Sequence, residues 1–326
     1  MRLEDIGFYT LSDERAANAT AISPMQRCEL LLTDRCNFKC AYCRGLRPEL
    51  RGDIPREAAF KIASEWAFDG LKNIRFSGGE PTLWPYLIEL VEHARDCEIE
   101  RIALSTNGSA SPQLYRQLVE AGVNDFSISL DGCCAADIEE AGGHLTCGIG
   151  NVVLDNLAML SDMTYVTVGV VLTEQNREKT CGIVSEASRC GVSDIRVIPV
   201  AQDGQAVAHV LNLLPTFAMS SYPILQYRSL NAHNNRSVRG ISPYDNPRCP
   251  LLLDDSVVCG KYHFPCIIHL REGGEPIGRL GVYKEVREAR VEWARNHDTF
   301  ADPICRANCL DVCVDYNNRY RELHKT

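Results

Sequence analysis

The chain has no run of about 18 consecutive apolar residues, the length a helix needs to cross a bilayer, so no membrane span is expected. It also lacks an excess of basic charge. Its 34 Lys and Arg stand against 43 Asp and Glu, a formal net charge of −9. That balance argues against a non-specific nucleic-acid binder, though not against a local basic patch. The start, Met1-Arg2-Leu3-Glu4-Asp5, has no apolar signal core, so a cytoplasmic location is expected. Otherwise the composition is that of a globular protein, and 326 residues suffice for one or two domains.

Cysteine is what the chain has in plenty, 16 in all. Disulfides do not persist in a reducing compartment, so this richness points to metal or catalysis. One group is a loop, Cys36, Cys40 and Cys43. A second is C-terminal: Cys249, Cys259, Cys266, Cys305, Cys309 and Cys313. The scattered remainder reads by default as small buried hydrophobes.

The loop reads Cys36-Asn37-Phe38-Lys39-Cys40-Ala41-Tyr42-Cys43, a C-x3-C-x2-C spacing directly after the apolar Leu30-Leu31-Leu32. Three thiolates on one tight loop suit a [4Fe-4S] cluster, each taking one iron. The local count stops at three. The fourth iron is left open for chemistry, as an open position on zinc is. A structural zinc with a distant fourth ligand is the alternative.

Beyond the loop the chain alternates β-rich runs with helical periods. Strands are expected at 28–32, 73–76, 101–105, 125–130, 165–172 and 194–199. Helices are expected at 55–69, 85–97, 111–121, 151–161 and 176–190, with Pro55 and Pro85 at starts and Gly70, Gly122 and Gly191 at stops. Repeated βα units make a parallel sheet with right-handed crossovers. Six strands fall short of a closed eight-stranded barrel, so the expected fold is α/β, a partial (β/α)6 TIM-like barrel.

In such folds reactive groups gather at the carboxyl ends of the strands. The cysteine loop follows strand one. Ser77-Gly78-Gly79-Glu80-Pro81 follows strand two, Ser105-Thr106-Asn107-Gly108 follows strand three, and Ser127-Ile128-Ser129-Leu130-Asp131-Gly132 ends strand four. Gly78 and Gly79 let backbone approach a ligand closely. Glu80 suits an ammonium group, while Thr106, Asn107 and Ser129 offer neutral hydrogen-bonding groups. Taken alone, the Gly-Gly and Thr-Asn-Gly segments also read as turns. Arg75 alternates against Ile74 and Phe76, which turns it toward the barrel interior. An anionic substrate, a salt bridge or solvent are its open partners.

These four segments, C-N-F-K-C-A-Y-C, S-G-G-E-P, S-T-N-G and S-L-D-G, together resemble the radical S-adenosylmethionine (SAM) superfamily over roughly residues 28–200. The pattern is similar to the molybdenum-cofactor-cyclase-like and SPASM/twitch groups. The resemblance implies that Cys36, Cys40 and Cys43 bind a [4Fe-4S] cluster whose open iron chelates SAM. Reductive cleavage then yields a 5′-deoxyadenosyl radical that takes hydrogen from a substrate. It further implies that Tyr42 lies against adenine, that Gly78, Gly79 and Glu80 hold the methionine amino end, and that Ser129 meets ribose or carboxylate. Thr106 and Asn107 join this cofactor rim. A flavodoxin or ferredoxin-type electron donor is implied as partner.

Past about residue 201 the regular alternation stops. The expected division is an N-terminal extension 1–27, a radical SAM partial-barrel domain 28–205, and a cysteine-rich SPASM/twitch-like domain 206–326. Cys305-x3-Cys309-x3-Cys313 departs from the usual seven-cysteine SPASM pattern. Its expected use is one auxiliary [4Fe-4S] cluster with Cys266 as the upstream ligand and Cys249 as the alternative. Four thiolates suit zinc as well. After strand four, Cys133, Cys134 and Cys147 stand on the substrate rim. Cys147 is the candidate hydrogen-atom donor; packed or exposed loop thiols are the plainer reading.

The expected function is thus a radical SAM enzyme acting on a small polar metabolite or a peptide, by epimerisation, dehydrogenation, cyclisation or peptide modification. The short extension 1–27 leaves no room for a peptide-binding winged helix and tilts the expectation to a small molecule. A non-catalytic iron–sulfur electron carrier and a zinc-binding module are the alternatives from other classes. The acidic charge and the large α/β body stand against the zinc module. The rim of SAM-like segments stands against the carrier.

Overall fold

The structure is a computed structural model and describes residues 9–143, 148–200 and 221–324. After a short helix α1 (Asp13–Asn18) come β1 (Arg27–Thr33), α2 (Arg56–Phe68), β2 (Asn73–Gly78), α3 (Leu87–Asp96), β3 (Arg101–Thr106), α4 (Pro112–Ala121) and β4 (Asp125–Ser129). Then follow α5 (Ala135–Ala141), α6 (Ile149–Met163), β5 (Tyr165–Leu172), α7 (Thr180–Arg189) and β6 (Asp194–Pro199). All six expected strands and the helices between them are present. The start signals work through the backbone: Pro55 caps α2, and Ser111 caps α4 with Pro112 in its first turn. Gly122 closes α4 at a φ of 137° that a side chain disfavours. The short α5 was not expected. Of its seven residues only Ile138 is buried, so no helical period marks it.

β1 to β6 pair parallel in chain order, as an open α/β sheet of partial-barrel type. One face of each strand carries the apolar set: Leu30, Leu32, Ile74, Phe76, Ile102, Leu104, Phe126, Ile128, Val166, Val168, Ile195 and Val197. These pack with helix residues such as Trp66, Leu90, Tyr115, Leu157 and Ile183 in one buried cluster. Period two then turns Glu29, Arg75, Ser77, Ser105, Asp125, Ser127, Thr167 and Arg196 to the other face. The sheet thus has an apolar outer face under the helices and a polar inner face.

The cysteine-rich region supplies α8 (Pro223–His233), β7 (Asp255–Cys259), β8 (Tyr262–Phe264), α9 (Ile267–Arg271), β9 (Gly278–Arg279), α10 (Tyr283–Asn296), α11 (Pro303–Asn308) and α12 (Asp311–His324). β7 pairs parallel with β1, on the side opposite β2, and β8 and β9 continue antiparallel. The described residues therefore form a sheet of nine strands, not six. This seventh parallel strand escaped the sequence because it is five residues long and has no βα repeat around it. Arg290, buried in α10, holds it in place by donating to the carbonyls of Leu252, Asp255, Phe264 and Pro265. No helix among the described residues is long and apolar enough to cross a membrane.

Candidate functional site

The loop of Cys36, Cys40 and Cys43 leaves the end of β1 and is tied down from three sides. Lys39 N–H donates to Gly142 O at 2.7 Å, Asn37 Nδ2 donates to Ser109 Oγ at 2.8 Å, and Asn107 Nδ2 donates to Asn37 Oδ1 at 2.9 Å. Within the loop, Cys43 N–H donates to Cys40 O at 2.9 Å, and the Cys36 sulfur accepts from Phe38 N–H at 3.4 Å. The Cys40 thiol is pushed up to about 11, by burial first and then by Asp131, Cys43 and Cys36. Cys36 is also pushed up, by burial first, with Glu80 and Cys43 adding to it. Cys43 is thus near enough to disfavour the ionisation of both Cys36 and Cys40. A cation between them removes that opposition, so the set fits an iron–sulfur cluster.

Gly78 and Gly79 lie directly against the end of β1 and the two residues that lead from it into this loop. A side chain on Gly78, which sits at φ 143°, would meet Thr33 O at 2.3 Å, and one on Gly79 would meet Arg35 O at 2.3 Å. Gly79 N–H donates to Thr33 O at 2.7 Å and Glu80 N–H to Arg35 O at 2.8 Å. These glycines exist for backbone apposition to the loop, not for a surface turn. Arg271 of α9 donates to Gly78 O at 2.7 Å and to Gly45 O at 3.0 Å, which brings the cysteine-rich region to the rim.

Glu80 is 1% exposed. Its Oε1 accepts from Thr82 N–H, Thr82 Oγ1 and Thr106 Oγ1, and its Oε2 from Asn107 N–H at 2.8 Å. The carboxylate therefore clips the loop after β2 to the loop after β3. Thr106 is buried and also shares a 2.8 Å hydrogen bond with Tyr115 Oη. Asn107 faces the cysteine loop, 4.0 Å from the Cys36 sulfur. Ser129 stands exposed at the end of β4, on the inner face.

Tyr42 donates its hydroxyl to Asp131 Oδ2, and Asp131 Oδ1 accepts from Val171 N–H at 2.9 Å. Burial, ahead of any neighbour, lifts Asp131 to about 6, and Tyr42 is pushed up by burial, then by Asp131 and Cys40. The sequence assigned Asp131 no role. An Asp-Gly pair after a strand reads as a turn, and its tie to Tyr42, 89 residues away, leaves no local signal. Cys147 lies outside the described residues.

The inner face continues from this rim. Ser77 Oγ donates to Glu29 at 2.8 Å. Arg75 donates to Ser105 Oγ at 2.9 Å and pairs with Asp125 at 3.4 Å. Of its open partners, the salt bridge is the one seen here. Arg196 donates to Ser127 Oγ at 3.4 Å. Burial, followed by Arg75 and Arg228, pulls the Arg196 guanidinium down to about 10.

The C-terminal region encloses a cavity lined by Cys249, Cys266, Cys305, Cys309 and Cys313 together with His269 and Trp293. Both upstream cysteines weighed from the sequence are there. Cys259 is not: it is buried elsewhere with Leu31, Leu50 and Phe264. Cys266 caps α9, Cys305 lies in α11, Cys309 caps its end, and Cys313 opens α12. Burial leads in pushing Cys249 up to about 11 and Cys266 and Cys305 higher still. Cys309 rises through its hydrogen bond with Cys313 first and burial second. Five thiols gathered around one apolar cavity fit a thiolate-bound metal centre.

The family description Radical SAM superfamily matches residues 30–179. A GTP 3′,8-cyclase of Pelotomaculum thermopropionicum is 41% identical over 105 residues, 31% of this chain and 32% of that protein. A GTP 3′,8-cyclase of Staphylococcus carnosus is 29% identical over 191 residues, 55% of this chain and 50% of that protein. The match thus spans a third to a half of those relatives' length. Among solved structures, anSMEcpe with bound AdoMet and Cp18Cys peptide aligns at TM-score 0.60 and 15% identity, covering 92% of this chain and 95% of that one. SuiB of Streptococcus suis bound to S-adenosylmethionine aligns at 0.57 and 14%, covering 82% and 68%. At such identities the likeness is one of fold. The cofactors expected from the sequence, a [4Fe-4S] cluster and SAM, are those of the matched family, and the segment 30–179 that matches the radical SAM superfamily holds the three-cysteine loop, Gly78-Gly79-Glu80, Thr106 and Ser129.

Proposed function

We propose that this chain is a radical SAM enzyme with a second metal centre in its cysteine-rich region. The observation that carries the reading is the apposition of Gly78 and Gly79 to Thr33, Asp34 and Arg35, the stretch that leads into the three-thiol loop, at distances only glycine tolerates. In this reading Cys36, Cys40 and Cys43 hold three irons. The backbone of 78–80 receives the methionine end of SAM, with Glu80 keeping that backbone in position. Asp131 fixes Tyr42 beside the loop, and Ser129 offers its hydroxyl at the strand end. Bound there, the cluster and SAM supply reductive sulfonium cleavage and a hydrogen-abstracting radical. The protein's own role is to orient the reactants and keep water out.

The inner face favours a substrate with an anionic group. Arg75 and Arg196 lie on it as cations, Arg75 adds to the burial that disfavours the Arg196 charge, and a bound carboxylate or phosphate would offset that repulsion. The cavity of Cys249, Cys266, Cys305, Cys309 and Cys313 holds the second cluster. Five thiols exceed the four that one cluster takes, so the preferred set is Cys305, Cys309, Cys313 and Cys266, with Cys249 as the exchangeable member. The division into a barrel domain to 205 and a cysteine-rich domain from 206, and a cytoplasmic setting, go with this reading.

The test is anaerobic reconstitution of wild type and of a Cys36/Cys40/Cys43→Ala variant, with iron counting and a 5′-deoxyadenosine assay under dithionite. Expected are about eight irons in wild type and about four in the variant. Only wild type should form 5′-deoxyadenosine. Full iron without SAM cleavage would overturn the enzyme reading and leave an electron carrier. Zinc in place of iron would leave the zinc module.

A further inference from the structure

Outside both cysteine sites lies a third group of metal-ligating side chains, just beyond β4. We propose that Cys133, Cys134 and Asp137 form a site for one thiophilic divalent cation of the zinc class. The ligand atoms of the three residues lie within 4.8 Å of one another. Cys133 Sγ is 3.0 Å from Asp137 Oδ2. A tetrahedral ion with bonds of about 2.3 Å to sulfur and 2.0 Å to oxygen sets its ligands about 3.5–3.8 Å apart, within the 4.8 Å that spans these three atoms.

The surroundings complete the site. Asp137 Oδ2 faces the thiols, while Oδ1 accepts from Lys179 Nζ at 2.7 Å. One oxygen is thus left for the ion, and the other is held by a charged partner, as outer ligands to metal-bound carboxylates are. Charge balances too. Two thiolates, a carboxylate and a divalent ion sum to −1, which the Lys179 ammonium neutralises. On the inner side α7 walls the site. Gly182 stands where a side chain would meet Cys133 Cβ at 3.1 Å and Sγ at 3.4 Å. On the outer side Cys134 is exposed, leaving the fourth position to water or an incoming ligand. Binding displaces two thiol protons to solvent and involves no change of oxidation state.

The test uses the anaerobic holoprotein, with its iron counted before and after, titrated with Cd²⁺ and with Zn²⁺. Expected is one equivalent per chain beyond the iron, cadmium–thiolate charge-transfer absorption, and release of about two protons per ion. The Cys133→Ala/Cys134→Ala variant should lose that equivalent, and Lys179→Met should weaken it roughly 10–100-fold. If the double variant fails to fold, Asp137→Asn at unchanged iron content must show the same weakening. An equivalent that persists in the double variant, one matched by iron lost from a cluster, or no binding in wild type would each overturn the proposal.

Discussion

Glu80 is a carboxylate whose work is done inside the protein. Four donors from three residues converge on it, and burial lifts its carboxyl above the usual range. A glutamine there sets an amide N–H₂ against a donor that has no other acceptor. Glu80→Gln should therefore cost about 1–3 kcal/mol. Thermal unfolding of the cluster-free protein checks this, and an unchanged Tm would refute the clip. Asp131 works on the same principle, with Tyr42 and Val171 as its partners. The Gly-Gly-Glu-Pro order was legible because its spacing is local. The tie of Glu80 to Thr106 and that of Asp131 to Tyr42 were not, since those partners lie 26 and 89 residues away.

At the level of elements, the cysteine loop has no regular structure of its own and takes its shape from neighbours. Gly78 and Gly79 press on its first residues, Gly142 accepts from Lys39, and Asn107 and Ser109 hold Asn37. A methyl at position 79 would stand 2.3 Å from Arg35 O and 2.6 Å from Asp34 O, both backbone atoms with little room to yield. Gly79→Ala should therefore move the loop and cost the protein about four irons, while the C-terminal cavity keeps its metal. Iron counting with electron paramagnetic resonance separates the two, and a full complement would show that the loop tolerates the shift. The six βα units were readable from alternation of apolar runs with helical periods. α5 and β7 were too short to carry a period, and the gathering of five cysteines in one cavity depends on how α9, α11 and α12 pack, which spacing alone does not encode.

For the whole molecule, the decisive feature is that β1 has neighbours from both halves of the chain. It is buried along its full length, with β2 on one side and β7 on the other. Arg27 on β1 donates from Nη1 to both carboxylate oxygens of Asp255 on β7, at 2.9 and 3.0 Å. A fragment ending at residue 205 would expose an unpaired, apolar edge at the middle of the sheet. Such a fragment should aggregate; a soluble monomer with a cooperative unfolding transition would show that the barrel domain stands alone. The same arrangement has a consequence for how the protein is made. β1 leaves the ribosome before its partner β7, which follows 228 residues later. At synthesis rates of about 5–20 residues per second the nascent chain carries an open strand edge for roughly ten seconds or more. Emergence of β7, not completion of the first βα units, is the moment that edge of β1 can close.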